Sequence, residues 1–367
     1  MRVMSIVGTR PEIIKMSQII KLLDECTEHT FIHTGQNYDY ELNEIFFKDL
    51  NLRRPDHVLD TKGDTLGESV GNIMFEVEKM LKLYEPDAVV ILGDTNSALS
   101  GIIAKRMKIP LFHLEAGNRC FDDNVPEEIN RRILDHISDV NMVYTENQRR
   151  NLLMEGVAKD RIFVMGSPMQ EVFNDTLPDI ESSDVLTRLN LEYPEWARVS
   201  YFLVSIHRDE NVEIQKNLDE LLKTLEAIHA KYEMPIIVST HPRLRNKLED
   251  RKIPGVQFMK PFGFLDYNKL QMNAKCVISD SGTISEESAL LGFPAVTIRN
   301  AMERIEAVDV GSILMTGVNC EAILNAIDIA KEPADCPPDY EVYNCAERVV
   351  KVIIGYTPYV NRYVWHK

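Results

Sequence analysis

Short apolar runs rich in β-branched residues alternate along the chain with longer segments of helical period. RVMSIV (2–7) precedes PEIIKMSQIIKLLDE (11–25), HTFIHTG (29–35) precedes YDYELNEIFFKDL (38–50), and DAVVILG (87–93) precedes NSALSGIIAKRM (96–107). A continuous apolar run of four to eight residues signals a strand, whereas recurrence at i, i+3, i+4 and i+7 signals an amphipathic helix. Their alternation predicts an α/β, doubly wound parallel sheet. The series breaks in a polar, Pro-containing passage near 176–197 and then restarts with SYFLVSIH, NLDELLKTLEAIHAKY, MPIIVSTH, AKCVISD, ISEESALLG and FPAVTIR. Two Rossmann-like domains around a cleft are therefore expected. The first spans 1–180 and the second 181–345, with an amphipathic helix from about Glu347 to Ile354, in the segment 346–367, returning to pack on the first. Open α/β sheets bind ligands beyond the carboxyl ends of their strands, so the residues just after each apolar run carry the chemical interest.

Length and charge narrow the partners. With 367 residues, 44% of them hydrophobic, the chain can fill two cores, since one core seldom grows past roughly 250–300 residues. A formal net charge of −16 disfavours nucleic-acid and membrane-surface partners, which select a basic face. Any anionic ligand must therefore be held by local cations. The N-terminus passes from apolar residues into Gly8, Thr9 and Arg10 too soon for a signal peptide, and no run approaches the roughly 20 apolar residues of a membrane span. A cytoplasmic protein is expected. Its six cysteines form no CxxC pair, which suggests reduced thiols and no metal site.

The first strand ends in VGTRPEIIK, where Pro11 suits the first helical position and Arg10 stands just before it. This is not the GxGxxG of a dinucleotide cradle, but a helix start beside Arg10 and Lys15 can accept an anion. In the second half, Ser281, Gly282 and Thr283 of SDSGTISEES open a helix whose free N–H groups suit a diphosphate. One turn later Glu287 can accept hydrogen bonds from vicinal hydroxyls. The plain alternative is that Ser281 caps the helix while Glu286 and Glu287 compensate its dipole. Arg299 and Arg304 follow the next strand and supply the positive field that the chain as a whole lacks. His207 and His241 also fall at strand ends, where contact with a ligand or proton transfer competes with a structural role.

The stretch HLEAGNRCFDDNVPEEINRR (113–132) concentrates carboxylates, and Asp94 arrives from the preceding strand. Asp94 and Glu115 each follow an apolar run directly. Pro126 suits the first helical position, so Glu127 and Arg131 share a face four residues apart, as do Glu128 and Arg132. One pair is expected at the surface and the other in the cleft. Glu128, Asp122 and Asp123 are assigned to ordinary solvated positions. Crowded carboxylates raise one another's pKa and can divide acid and base roles.

Taken together, VGTRPEIIK, LGDTNS, EAGNR, PEEINR, SIHRDEN, THPR and SDSGTISEE resemble, in order and over nearly the full length, the non-hydrolysing UDP-N-acetylglucosamine 2-epimerases. The resemblance implies a glycosyltransferase-B-like fold, a homodimer, no cofactor, and a UDP-linked N-acetylamino sugar as substrate. It further implies elimination of UDP through a 2-acetamidoglycal and its re-addition. Asp94, Glu115 and Glu127 would be the acid/base carboxylates, with His207 assisting the leaving diphosphate and Arg131 supporting the site. Arg10, Lys15, His241, Ser281, Gly282, Thr283, Glu287, Arg299 and Arg304 would bind UDP, with Tyr267 near the uracil. Common family members read EAGLR and DSGG. EAGNRCFDDNVPEEINRR, GSPMQEV and YTPYVNRYVW are instead similar to the branch that makes UDP-N-acetyl-L-fucosamine from UDP-2-acetamido-2,6-dideoxy-L-talose. Asn118 and the CFDD loop beside Glu115 would then tell a 6-deoxy-L-sugar from a D-sugar. UDP-GlcNAc is the nearest alternative substrate. A glycosyltransferase of the same architecture is the rival of another class.

Overall fold

The computed structural model describes residues 1–36, 40–191, 201–240, 242–248, 252–331, 333 and 335–367. These fall into two compact units, Met1–Asn174 with Pro338–Lys367, and Asp175–Pro337.

In the first unit the described strands are β1 (Arg2–Val7), β2 (Glu28–His33), β3 (His57–Val58), β4 (Ala88–Leu92), β5 (Leu111–Leu114), β6 (Val140–Val143) and β7 (Ile162–Val164). All pair in parallel, in the order β3-β2-β1-β4-β5-β6-β7. The second unit holds β8 (Phe202–Ile206), β9 (Ile236–Thr240), β10 (Val256–Met259), β11 (Cys276–Ser279), β12 (Ala295–Thr297) and β13 (Leu314–Met315). Their order is β10-β9-β8-β11-β12-β13, again parallel throughout. Each unit is therefore a doubly wound sheet whose strand order reverses once, at β1/β4 in the first and at β8/β11 in the second. Crevices at such reversals are the usual ligand sites.

The central strands are apolar on both faces because helices cover both. AVVIL of β4 is buried at every position. Met4, Ile6, Val89, Ile91 and Leu111 pack with Ile73, Val77 and Leu81 of the helix Leu66–Tyr84, a segment not singled out by sequence pattern. Phe202, Val204, Ile236 and Val238 pack with Leu218, Leu221 and Leu225 of the helix Gln215–Tyr232 in the second core.

The polar passage near 176 is more ordered than its composition suggests. A helix runs Met169–Ser182 with Pro178 inside it, and a short turn of helix follows at Val185–Arg188. The last helix is also longer than the amphipathic pattern from Glu347 implied, extending over Cys345–Tyr363. It packs against the helix Arg10–Cys26, within the first unit. No described helix is long and apolar enough to cross a membrane.

Candidate functional site

In the first unit, the register of β4 with β5 pairs Leu92 with Leu114, so Gly93–Asp94 and Glu115 leave the sheet side by side. Glu115 takes a left-handed backbone (φ 68°), as do Gly93 (φ 81°) and Gly117 (φ 78°). An ordinary side chain in that region costs roughly 1–2 kcal/mol and persists only where its surroundings over-determine it. They do so here. Oε2 of Glu115 accepts hydrogen bonds from Lys15 Nζ at 2.7 Å and from the Tyr144 hydroxyl at 3.2 Å. Its Oε1 accepts from Asn118 Nδ2 at 3.2 Å. Lys15, expected on UDP, thus has its ammonium on a carboxylate within the first unit.

Asp94 is clasped by Arg131, with Nε at 2.9 Å and Nη2 at 2.7 Å from its Oδ2. The third guanidinium nitrogen lies 3.0 Å from Glu128 Oε2. Here the solvated assignment of Glu128 is corrected: the residue is fully buried, and it also accepts from Arg132 Nη2 (2.8 Å) and from the N–H groups of Cys120 and Phe121. The i,i+3 spacing to Glu128 therefore carries the buried ion pair with Arg131. Glu127 is half-buried on the same first turn of the helix Pro126–Ile137. Asp122 folds onto the N–H of Asn124 and Asp123 pairs with Arg132 near the surface, both as loop residues should.

Behind these groups lies a buried frame. His113, inside β5, places Nδ1 2.8 Å from Asp135 and Nε2 2.9 Å from the Gly93 carbonyl, tying the ends of β4 and β5 together. Asp135 also accepts the Gly117 N–H and a nitrogen of Arg119. Glu12 caps its own helix by accepting the N–H groups of Gly8 and Thr9. Burial, reinforced by the charge of Asp94 and partly offset by those N–H groups, pushes its carboxyl up to about 7. That helix begins at Arg10, so Pro11 is its second residue rather than its first. The Arg10 guanidinium lies 5.6 Å above the Phe46 ring. Sequence patterns did not single out Glu12, His113 or Asp135, because nothing but burial distinguishes them from other polar residues.

In the second unit, His207 directly follows β8 and Asp280 directly follows β11. The backbone N–H groups of His207 and Arg208 and the Asn211 amide all donate to Asp280, and His207 Nδ1 lies 2.9 Å from it. Burial alone would raise this carboxyl. The neighbouring His207, with the hydrogen bonds of Asn211 and of the Arg208 backbone, outweighs burial and brings it down to about 2. His207 keeps 40% of its side chain exposed, so the buried carboxylate orients an accessible imidazole. The strand-end rule applied to ISDSG would have found Asp280.

Three guanidinium groups converge on the next turn. A Cβ built on Gly282 would lie 3.5 Å from Arg304 Nη1 and 3.6 Å from both Arg208 Nη2 and Arg299 Nη1. Arg304 donates to the Gly282 carbonyl at 2.7 Å and pairs with the buried Glu286, while Arg299 is buried in a two-pronged pair with Glu303 (2.6 and 2.8 Å). Arg208 was not among the expected site residues. The helix Ile284–Leu291 has Thr283 as its N-cap, so Ser281 does not cap it. Ser281 Oγ instead accepts the Thr283 N–H one step earlier. Glu287 accepts from Thr283 Oγ1 (2.6 Å) and Gln271 Nε2 (2.7 Å). Burial and the charge of Glu287 push the Tyr267 phenol well above its ordinary range, and its hydroxyl reaches Ser205 and Ser279. The polar end of Tyr267 thus faces the strand ends of its own unit. His241 lies outside the described residues. Among the described residues no group of three His, Cys, Asp or Glu side chains is arranged to hold a metal.

The family model for UDP-N-acetylglucosamine 2-epimerase matches residues 22–354. The chain is similar to the solved structure of a UDP-N-acetylglucosamine 2-epimerase from Rickettsia bellii, at 45% identity and TM-score 0.92, covering 100% of each chain. It is also similar to the Methanocaldococcus jannaschii UDP-GlcNAc 2-epimerase in complex with UDP-GlcNAc and UDP. That match has 34% identity and TM-score 0.87 over 97% of this chain and 100% of that one. A UDP-2,3-diacetamido-2,3-dideoxy-D-glucuronate 2-epimerase from Pseudomonas aeruginosa is 31% identical over 332 residues, 89% of this chain and 91% of its own length.

Proposed function

The chain belongs to the UDP-N-acetylglucosamine 2-epimerase family and is a UDP-sugar 2-epimerase; from that premise we propose that it inverts C2 of UDP-2-acetamido-2,6-dideoxy-L-talose to give UDP-N-acetyl-L-fucosamine. C2 is not adjacent to a carbonyl, so simple enolisation is closed to it. Loss of the C2 proton together with UDP from C1 leaves a C1=C2 double bond, a 2-acetamidoglycal. Return of a proton to the opposite face of C2 and of UDP to C1 completes the inversion without net oxidation.

Glu115, Asp94 and Glu127 carry the proton transfers, with Arg131 holding Asp94 in place. Crowded carboxylates with separate partners can divide acid and base roles. The turn Ser281–Thr283 with Arg304 and Arg299 receives the diphosphate, and Glu287 the ribose hydroxyls. His207, oriented by Asp280, assists departure of the diphosphate.

Asn118 is the observation that supports the L-sugar. Its amide touches Glu115 directly and is buried, so a residue that varies between branches sits on a proton-transfer group. A second reading, UDP-GlcNAc to UDP-ManNAc, is favoured by the full-length likeness to the Rickettsia and Methanocaldococcus proteins. Incubation with UDP-N-acetyl-L-fucosamine and, separately, UDP-GlcNAc in D2O tests the choice by NMR. Deuterium should enter C2 of the L-sugar. Exchange confined to UDP-GlcNAc establishes the second reading, and transfer to an acceptor with no exchange in either would remove epimerase chemistry altogether.

A further inference from the structure

The helix Glu146–Met154 clamps the turn that carries Glu115. Asn151 Nδ2 donates to the Gly117 carbonyl at 3.0 Å. A Cβ at Gly117 would meet the Gln148 carbonyl at 2.6 Å, so the helix backbone rests against the turn itself. Gln148, only 1% exposed, adds a directional element. Its Oε1 accepts the backbone N–H groups of Tyr144 (2.6 Å) and Thr145 (3.0 Å).

Those two donors remove the usual ambiguity of an amide. With Oε1 committed to backbone N–H groups, the other end of Gln148 must be the NH2, and it lies 2.5 Å from Asn118 Oδ1. Asn118 is thereby fixed with Oδ1 toward Gln148 and Nδ2 toward Glu115 Oε1, 3.2 Å away. Orientations that are normally inferred by optimising a network are here dictated by the one-way polarity of the backbone.

We infer that Gln148 is a positioning residue that acts through Asn118 to hold Glu115 as an ionised carboxylate, the base that removes the C2 proton. This rests on the reading of the chain as a 2-epimerase. The Nδ2–H of Asn118 stabilises only an acceptor. It therefore complements the Lys15 ammonium and Tyr144 hydroxyl on the other oxygen, and hydrogen bonds to the charged form favour that form. A leucine at the Asn118 position would leave no link from the helix Glu146–Met154 to Oε1, so the relay belongs to chains that pair asparagine with glutamine here.

The experiment reverses the relay without emptying the site. In Gln148→Glu one oxygen still accepts from Tyr144 and Thr145, and the other can only accept. Asn118 must then turn its NH2 toward it and present Oδ1 to Glu115. The acid limb of the pH profile for C2 exchange should move up by about one unit, with roughly 10-fold less exchange below it. The titration of the Glu115 side-chain carboxyl, followed by 13C NMR and identified with Glu115→Gln, should move with it. In an Asn118→Leu background no amide is left to turn, and the same substitution should shift both readouts less than half as far. An equal shift in both backgrounds, or none in either, overturns the relay. The carboxyl titration reports on the relay even if no UDP-sugar exchanges deuterium in the unaltered protein, an outcome that would count against the 2-epimerase reading alone.

Discussion

Over six strands the two sheets share one order, yet equivalent strand ends carry different chemistry. After the fourth strand of each pattern stands an aspartate, Asp94 following β4 and Asp280 following β11. Asp94 keeps 20% of its side chain exposed and meets a side-chain cation, Arg131. Asp280 is fully buried and receives backbone N–H groups together with His207. After the next strand the first unit offers Glu115 and the second Arg299. The first unit fixes one carboxylate by holding its backbone at φ 68°. The second leaves a glycine ringed by three guanidinium groups. One fold thus holds a carboxylate by conformational constraint at one strand end and leaves open space beside fixed cations at the other, and the proposed roles of these two strategies should fail under different substitutions.

The largest effect should come from the first strategy. Glu115→Gln keeps the shape and removes the titrating group, so C2 exchange should fall by about 10³-fold or more while UDP binding, read by calorimetry, persists. Normal exchange would exclude Glu115 as the base. Next comes Asp280→Asn in the second unit, expected to lower kcat by about 10²-fold because His207 loses the carboxylate that orients it. The same variant carries a stability signature. A carboxyl brought down to about 2 in the folded state stabilises above its unfolded value near 3.8 and loses that contribution as pH falls through about 2. Acid unfolding monitored by circular dichroism should therefore show a flatter dependence over that window in Asp280→Asn.

Gly282→Ala breaks the second strategy more gently. The added Cβ would sit in ordinary contact, 3.5 Å or more from the three guanidinium groups, so the thermal midpoint should hardly move. The methyl group would occupy the diphosphate seat, raising KM about 10-fold with kcat less affected, the pattern of lost ground-state binding. Equal KM would show that the turn does not receive the diphosphate. The smallest expected effect on catalysis is at Glu12, where the readout is stability: burial and then Asp94 raise its pKa to about 7. A raised carboxyl contributes stability that is present below its unfolded value near 4.5 and lost as pH rises through about 7. The native protein should therefore lose about 3 kcal/mol over that window, and Glu12→Gln should not. Urea unfolding at pH 5 and pH 8 measures the difference, and parallel behaviour of the two proteins would show that Glu12 does not titrate there.

The alternation of apolar runs with helical periods was sufficient to predict two parallel α/β domains, because a strand covered by helices on both faces can be read one residue at a time. The strand-end rule likewise reached Asp94, Glu115, His207 and the Ser281–Thr283 turn, since each directly follows such a run. Burial and partners were not legible at that level. Glu127 and Glu128 are adjacent first-turn glutamates, and i,i+4 spacing gives each an arginine. Only packing under the Cys120–Phe121 turn made Glu128 the buried ligand of two arginines. Lys15 and Glu115 are 100 residues apart in the chain, and no local pattern links them. The orientation of Asn118 likewise depends on two backbone N–H groups and on Gln148, all contributed by a different segment. Sequence determined which chemistry arrives at the ends of the strands, through periodicities that are local. Tertiary structure alone decided which carboxylate is ringed by donors, which is buried as a frame and which histidine is oriented, because those outcomes depend on desolvation and on donors brought together from distant parts of the chain.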